Sequence, residues 1–408
     1  MPFKIAAQIS TAHTDPSQPA LDDVLRAIAA AQAILPIDVL IIGGRTRPDL
    51  FSALTGPQRP VKTVFAWYNL LSDYPGQAPT EGVINFRGQQ SGGWGGWAES
   101  GAEVAESFAF GCPNHPEVQR KTLAGAAALL DAFPFDGLFL DKFRFPSPAG
   151  GLEHTFSCFC PFCQQAARAE GLDLNEVQAA LRSWPQPELA QKDGLVSAGA
   201  PWLAAITSSS PILQAFLRFR AASITRLVQQ AAALTRARGR QLGLDLFSPA
   251  FAFLVGQDYA ALAPLASWAK PMTYRAALGP AGLRLETTRL LNGLHAIYDL
   301  SESACLEWAS HHQPGFSPAG FAELARSAVP LPWVENEIRL AAQNLRPCPA
   351  YFGLETVSFP GIIDITPPDI EAVLAAGLRA GASGAVISWD LMHTPAANLR
   401  ALAGSILG

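Results

Sequence analysis

Eight short apolar segments recur along this chain, and helical patterns follow most of them. The segments span residues 3–10, 37–44, 61–71, 135–141, 241–249, 269–274, 350–357 and 384–390. The fourth segment is a short apolar run, as expected for a parallel strand that is buried on both faces. Strands that alternate with helices, with no linker between them, predict a single TIM (β/α)8 barrel over residues 1–408.

Two long segments interrupt this alternation. Residues 72–112 have neither a helical nor a strand period, which predicts a long loop after strand 3. Residues 147–210 contain a cluster of cysteines and predict an insertion after strand 4. The alternative fold is a doubly wound parallel sheet, but no glycine-rich phosphate-binding fingerprint follows the first strand. The barrel is therefore the favoured fold.

The composition argues against several classes of partner. Hydrophobic residues make up 49% of the 408 residues and charged residues 15%, which is ample material for a large core. The net charge of -5 and the lack of any basic run argue against a nucleic acid partner. No segment holds about 18 uninterrupted apolar residues, so no membrane span is expected. The N-terminal residues do not resemble a secretory signal, and we therefore expect a cytoplasmic protein with reduced cysteines.

Polar residues stand at the C-terminal ends of the predicted strands, the face at which (β/α)8 barrels carry their chemistry. They are Gln8, Arg45, Tyr68, Asp141, Arg144, Asp245, Ser248, Tyr274, Glu355, Trp389 and Asp390. Asp141, Asp245 and Glu355 are carboxylates inside otherwise apolar strands, where burial penalises the charged form. An ion pair of Asp141 with Arg144 that closes the strand would be a structural explanation for one of them. Three carboxylates at one barrel face favour a functional explanation.

Cleavage of a glycosidic bond requires two facing carboxylates, one to protonate the leaving oxygen and one to attack or to activate water. Aromatic side chains suit a sugar ligand because their flat faces can stack on it, although such residues also pack in cores. The candidates for substrate contact are Trp67, Tyr68, Trp94, Trp97, Lys142, Arg144, Tyr274, Trp389, Asp390 and His393. The sequence therefore predicts a glycoside hydrolase that acts on an oligosaccharide or a small glycoside.

Residues 136–146, Asp-Gly-Leu-Phe-Leu-Asp-Lys-Phe-Arg-Phe-Pro, resemble the strand-four signature Asp-Gly-x-x-Leu-Asp-x-x-Arg-x-Pro of glycoside-hydrolase-like (β/α)8 barrel families. In these families a Cys-x-Cys-Pro-x-Cys element often follows, as at residues 158–163, and Pro-Met-x-Tyr is common on strand six, as at 271–274. The resemblance covers most of the chain and implies a barrel that hydrolyses glycosidic bonds. It implies that Asp141 is the nucleophile or stabiliser, while Glu355 and Asp245 compete for the role of general acid. Of these, the pair Asp141 and Glu355 is favoured.

Thiol and imidazole side chains are closely spaced in the insertion. The candidate metal ligands are Cys158, Cys160, Cys163 and His154, with Cys112 and His115 as further candidates. Four such groups can hold a tetrahedral zinc ion, although reduced and buried cysteines would be the structural alternative. Cys305 and Cys348 are isolated and are expected in the core. The sequence leaves a structural zinc ion and a set of reduced, buried cysteines open as alternatives, and it predicts no cofactor that catalysis requires.

Two other functions remain open from the sequence. A barrel lysine such as Lys142 can form a Schiff base with a carbonyl substrate, as in an aldolase or lyase. Because side chains alternate along a strand, Lys142 would face the helices or the rim if Asp141 faces the barrel centre. A noncatalytic carbohydrate-binding barrel would use the same carboxylates as hydrogen-bond acceptors. Borohydride trapping identifies the first alternative, and sugar binding without turnover identifies the second.

Overall fold

The computed structural model describes residues 2–94, 96, 106–182, 210–313, 315–359 and 362–407. Its strands are β1 (Lys4–Ser10), β2 (Val39–Gly43), β3 (Thr63–Asn69), β4 (Gly137–Asp141), β5 (Gln241–Phe247), β6 (Trp268–Met272), β7 (Tyr351–Glu355), β8 (Ser358–Phe359), β9 (Ile363–Asp364) and β10 (Gly384–Ser388). Eight of them form one parallel sheet in the order β6-β5-β4-β3-β2-β1-β10-β7, and β8 and β9 form a short antiparallel hairpin. A parallel bridge between Ala269 and Ala350 connects β6 to the start of β7 and nearly closes the cylinder. The predicted TIM (β/α)8 barrel is confirmed.

Helices follow the barrel strands. They are Leu21–Gln32 after β1, Pro48–Thr55 after β2, Pro116–Ala132 after β3, Pro211–Ala237 after β4, Pro249–Ala252 and Tyr259–Leu262 after β5, Leu283–Tyr298, Glu302–His312, Phe321–Leu324 and Leu331–Asn344 after β6, Pro367–Arg379 after β7, and Ala396–Leu407 after β10. Several begin with proline, whose fixed φ suits the first helical turn and whose missing N–H would have no partner there. Among the helices described, none has the length and apolar character needed to cross a membrane.

Aromatic side chains fill the interior of the barrel. The ring of Trp268 on β6 stacks between Phe139 of β4 and Tyr351 of β7, with centroids 5.1 Å apart in both pairs. Phe65 of β3 meets the same indole edge to face at 5.5 Å. Side chains alternate along a strand, so the next inward position on β6 belongs to Lys270, two residues closer to the C-terminal end. Polar inward residues are thus stacked directly above an apolar layer.

Two long connections rise above the C-terminal end of the barrel, as the sequence predicts. The first follows β3 and is organised by isolated bridges, such as those from Ser72 to Phe110 and from Gly82 to Gly111. The second follows β4 and carries the helices Leu152–Thr155, Pro161–Ala169 and Leu174–Arg182. The two connections touch where Asn85 bridges Ser157. The described parts of the two connections are therefore in contact with each other.

Glycine at the start of β4 is required by the packing of the barrel interior. A Cβ atom at Gly137 would lie 2.2 Å from Cε1 of Phe65 and 2.6 Å from the carbonyl oxygen of Gln241. We expect Gly137→Ala to lower the free energy of unfolding by about 1–3 kcal/mol, the usual cost of overpacking. Gly404→Ala is the matched control, because a Cβ there meets nothing within 4 Å. Denaturant titration that finds both variants as stable as the parent chain would contradict this packing.

Candidate active site

A pocket of about 350 Å³ lies at the C-terminal end of the barrel. Strands and the turns that follow them contribute Gln8, Ser10, Trp67, Asp141, Lys142, Arg144, Asp245, Phe247, Lys270, Met272, Tyr274, Trp389, Asp390 and His393. The loop after β3 adds Glu106 and Phe108, and the hairpin region adds Phe359 and Ile362. Polar strand ends that are far apart in the sequence therefore meet in one concave site, where barrels of this kind bind ligands.

Asp141 ends β4 and lines this pocket. Its Oδ2 accepts a hydrogen bond from the indole Nε1 of Trp67 at 3.0 Å, and its Oδ1 accepts one from the backbone nitrogen of Lys142 at 2.5 Å. No described lysine or arginine forms a salt bridge with Asp141, so the alternative of a structural pair with Arg144 is not seen. Two N–H donors orient the carboxylate and stabilise its negative charge without neutralising it.

Asp245 lies on the neighbouring strand β5, almost completely buried. Its Oδ2 is 3.0 Å from Nζ of Lys270, which also donates to Oε1 of Gln8 at 2.8 Å. Burial raises the pKa of Asp245 to about 7; Lys270 opposes that shift and the nearby Asp141 adds to it. The other oxygen, Oδ1, has no hydrogen-bond partner among the described residues. Asp245 can therefore hold a proton near neutral pH, on an oxygen to which no described residue donates a hydrogen bond.

Arg144 forms part of the pocket wall. Its guanidinium lies between the rings of Phe110 and Phe247, at 4.3 and 4.4 Å from their centroids. Its Nη1 donates to the carbonyl oxygen of Phe145 at 3.0 Å. Burial lowers the pKa of Arg144 to about 10, so the side chain remains a cation at neutral pH. A flat cation held between two rings can donate to a ligand without changing its own position.

Lys142 anchors the loop after β3 to the end of β4. Its Nζ is 2.7 Å from Oδ2 of Asp73 and 3.1 Å from Oε1 of Glu106, and it lies 4.1 Å from the centroid of the Phe108 ring. Burial lowers the pKa of Lys142, but Glu106, Asp73 and Asp141 outweigh burial and raise it above its usual value. A protonated amine bound by two carboxylates is not the free amine that Schiff-base formation needs.

Aromatic rings form another part of the pocket wall. Tyr274 and Trp389 meet edge to face at 6.1 Å, and Phe359 of the hairpin lies 6.3 Å from Trp389. The ring of His393 lies 4.2 Å from that of Phe359. Apolar rings facing a charged wall provide surfaces for both the apolar faces and the hydroxyl groups of a sugar.

Asp390 is a third buried carboxyl group in the pocket. It accepts hydrogen bonds from the backbone nitrogen of Met392 at 3.0 Å and from that of Ser10 at 3.4 Å. Burial raises the pKa of Asp390 to about 7, against the effect of these two donors. The backbone holds both of its oxygens, so Asp390 is better suited to bind a ligand than to attack one.

A second cavity of about 720 Å³ adjoins the pocket and shares Ala12 and Glu106 with it. Asn69, the register partner of Asp141 on β3, lines this cavity. Neither the amide oxygen nor the amide nitrogen of Asn69 has a partner in the described part of the chain, although both atoms are buried. A buried amide without partners is costly unless a ligand or water binds it, so the cavity has a polar group ready for recognition.

Glu355, the favoured partner of Asp141 in the sequence analysis, is bound elsewhere. Its carboxylate accepts hydrogen bonds from the backbone nitrogens of Arg275 at 2.6 Å, Ala276 at 3.0 Å and Ala277 at 2.8 Å. It lines a small separate cavity of about 10 Å³ and is not among the residues that line the main pocket. The structure therefore does not place Glu355 in the pocket beside Asp141, because the loop after β6 already binds its carboxylate through three N–H groups.

Two further aromatic candidates do not line the pocket. The hydroxyl of Tyr68 donates to the carbonyl oxygen of Thr122 at 2.7 Å, so this ring faces the helix Pro116–Ala132. Trp94 packs against Phe108 at 5.9 Å and lines a small neighbouring cavity. Trp97 lies outside the described residues. The alternation of strand β3, which places Trp67 inward, already implies that Tyr68 faces outward.

The cysteines of the insertion do meet, although their fourth partner differs from the prediction. The sulfur atoms of Cys158, Cys160 and Cys163 lie with that of Cys112 within 4.8 Å of one another. His154 does not belong to this group, and its Nδ1 is buried without a partner among the described residues. The described structure therefore brings Cys112, one of the further candidates from the sequence, to this group through the loop after β3, and it leaves His154 outside the group.

Sequence reasoning missed Lys270, Asp73 and Glu106. Lys270 could have been found, because a lysine two residues after Trp268 in an apolar strand must face the same interior. Asp73 and Glu106 lie in a loop without any period, and nothing local indicates that they bind Lys142. Such contacts depend on how the loop returns to the barrel.

Known structures agree on the fold. No family model matches this chain, and no curated protein sequence matches it. The glycoside hydrolase domain of PgaB (BpsB) from Bordetella bronchiseptica superimposes with a TM-score of 0.53 at 12% identity, over 96% of this chain and 95% of that one. The catalytic domain of β-amylase from Paenibacillus polymyxa gives 0.53 at 9% identity, over 99% and 98%. The chain therefore has the (β/α)8 fold found in glycoside hydrolases.

The ion pairs of Lys142 make a testable contribution to stability. Lys142→Met would leave Asp73 and Glu106 without their buried cation, and we expect the free energy of unfolding to fall by about 3–5 kcal/mol. Lys4→Met is the control, since Lys4 pairs with Asp38 at a more exposed site and should cost less than about 1 kcal/mol. Borohydride reduction with carbonyl compounds should not label Lys142. A labelled Lys142, or a variant with unchanged stability, would contradict the anchoring role.

Proposed function

We propose that this protein is a glycoside hydrolase that uses Asp141 and Asp245 as its catalytic carboxylates. The observation that supports this most is their placement on adjacent strands in the wall of one pocket, with different partners. Two N–H groups donate to Asp141, whereas burial gives Asp245 a raised pKa and leaves one of its oxygens without a hydrogen-bond partner in the described part of the chain. Two carboxyl groups with opposed environments are the usual acid and base of such a reaction.

The roles follow from these environments. Protonated Asp245 donates from Oδ1 to the glycosidic oxygen as the bond to the anomeric carbon breaks. The charge that remains on Asp245 is stabilised by Lys270, which already contacts its Oδ2. Asp141 either attacks the anomeric carbon or activates a water molecule that does so. Glu355 takes no part, because three backbone N–H groups hold it outside the pocket.

Other groups in the pocket suit a carbohydrate. Arg144, Asp390 and His393 offer a donor, an acceptor and a ring nitrogen, and Tyr274 and Trp389 offer ring surfaces. The adjoining cavity with Asn69 gives room for additional sugar units, which favours an oligosaccharide or an extended glycoside. Two structures with the same fold are named as a glycoside hydrolase domain and as the catalytic domain of a β-amylase, which supports the proposal by analogy of fold.

Removal of either carboxylate tests the proposal. On a panel of aryl and alkyl α- and β-glycosides, we expect Asp141→Asn to lose at least ~100-fold in kcat on every substrate that is cleaved. Asp245→Asn should lose as much on alkyl glycosides but far less on dinitrophenyl glycosides, whose leaving group needs no proton.

Asp136→Asn is the control for removing a carboxylate at β4, because Asp136 pairs with Arg59 at the opposite end of that strand. It should keep the parent kcat. Equal activity of the Asp141 and Asp245 variants with the parent protein would overturn the proposed site. Sugar binding without any turnover would favour the noncatalytic barrel instead.

The pH profile carries a second test. Because the acid must be protonated, kcat/KM should fall as the pH rises through about 7, the pKa to which burial raises Asp245. Asp245→Asn, assayed on dinitrophenyl glycosides, should lose this basic limb. Asp390→Asn should keep it, although Asp390 has a similar pKa, since that group only positions the ligand. Retention of the limb in Asp245→Asn would assign the acid to another residue.

A further inference from the structure

Four cysteines meet at the junction of the two connections above the barrel. The sulfur atoms of Cys112 and Cys163 are 3.4 Å apart, as are those of Cys112 and Cys160. With Cys158 included, all four sulfur atoms lie within 4.8 Å of one another, and all four residues are buried. None of them forms a disulfide. Four buried thiols that converge on one point, from two separate segments, need an explanation beyond packing.

The dimensions of the group fit a single tetrahedral ion. Zinc binds thiolate sulfur at about 2.3 Å, so the edges of a zinc–sulfur tetrahedron are ~3.8 Å long. The observed separations of 3.4 Å and up to 4.8 Å bracket that length. They are far longer than a sulfur–sulfur bond of about 2.05 Å. An iron–sulfur cluster would need space for sulfide ions between its ligands, which thiols this close do not leave.

Hydrogen-bond donors point at these sulfur atoms. The backbone nitrogen of Ile84 donates to Sγ of Cys158 at 3.3 Å, and Nδ2 of Asn114 donates to Sγ of Cys163 at 3.3 Å. The backbone nitrogen of Cys163 lies 3.5 Å from Sγ of Cys160. N–H donors of this kind orient metal ligands and stabilise thiolates over thiols.

A buried cation stands close to the same group. Arg220 is fully buried, and its guanidinium donates to the carbonyl oxygens of Leu254 and of Thr155, three residues before Cys158. No carboxylate in the described ranges forms a salt bridge with Arg220, and its Nε has no partner. A buried cation is strongly destabilising unless a negative charge balances it. Zinc with four thiolates carries two net negative charges and would supply that balance.

We infer that Cys112, Cys158, Cys160 and Cys163 hold a structural zinc ion. Binding converts four thiols and Zn²⁺ into a tetrathiolate complex of charge -2 and releases four protons, with no change of oxidation state. Four protein ligands leave no open position for a substrate, so the ion takes no part in catalysis. The site goes beyond the proposed hydrolase activity and does not depend on it.

The ion joins two segments that shape the pocket. Cys112 follows Phe110, whose ring covers the guanidinium of Arg144, and the other three ligands lie in the insertion after β4. Zinc would therefore link the loop that carries Phe108 and Phe110 to the insertion, and hold the wall of the pocket in place. Loss of the ion should loosen this wall before it unfolds the barrel.

Metal analysis of the purified full chain, expressed in medium with zinc and iron, is the direct test. We expect one zinc ion per chain in the parent protein and in the controls Cys305→Ser and Cys348→Ser, whose thiols lie outside the group. Cys112→Ser should lose the zinc or bind it much more weakly. Parent protein without stoichiometric metal, or with iron in its place, would overturn the assignment, as would full retention of zinc in Cys112→Ser.

A second measurement covers the case in which Cys112→Ser fails to fold. A mercurial reagent added stepwise to the folded parent protein, with a chromogenic zinc indicator, should release one zinc ion as four thiols react. Protein grown with cobalt should show the intense visible bands of tetrahedral cobalt thiolate. Thiols that react without releasing zinc, or a cobalt protein without these bands, would refute the tetrathiolate site.

Discussion

The polar C-terminal end of this barrel depends on one ion pair that is almost completely buried. Asp245 and Lys270 occupy paired positions on β5 and β6, and their side chains are 2% and 1% exposed. Moving two charges out of water is costly, and their attraction offsets this cost only when further hydrogen bonds complete their shells. Gln8 does so for Lys270, while one oxygen of Asp245 has no hydrogen-bond partner among the residues that the structure describes. Because the hydrogen bonds of Asp245 are incomplete, this oxygen is available to a ligand.

The aromatic layer below explains why that pair is so dry. Trp268 precedes Lys270 by two residues and fills the barrel with Phe139 and Tyr351. Because the rings exclude water from the interior, charged groups can lie only in the next layer up, near the mouth. Desolvation there raises the pKa of Asp245 and of Asp390 to about 7 without any special sequence at either position. Packing in one layer thus determines the acid–base properties of the next.

Strand positions were predictable from the sequence, and so was one half of the candidate site. Period and alternation place Asp141 and Asp245 at the same end of the barrel, since Asp141 is the last residue of β4 and Asp245 lies two residues before the end of β5. The same reasoning paired Asp141 with Glu355, because the sequence does not show that the turn after β6 binds the Glu355 carboxylate. The contacts of Lys142 and the choice of Cys112 over His154 depend on how the long loop folds back. Contacts that form when a long loop folds back onto the barrel leave no local pattern in the sequence.

Glu355 helps to close the barrel between β6 and β7. Between β6 and β7 the described ladder is reduced to the bridge of Ala269 with Ala350, so this is the seam of the barrel. The carboxylate of Glu355, at the end of β7, accepts hydrogen bonds from three successive backbone N–H groups in the turn after β6. It thus connects β6 and β7 at the C-terminal end of the barrel. A barrel is closed only if every pair of neighbouring strands is connected. The side chain of Glu355 thus connects β7 to the turn after β6 beyond the point at which backbone pairing between the two strands ends.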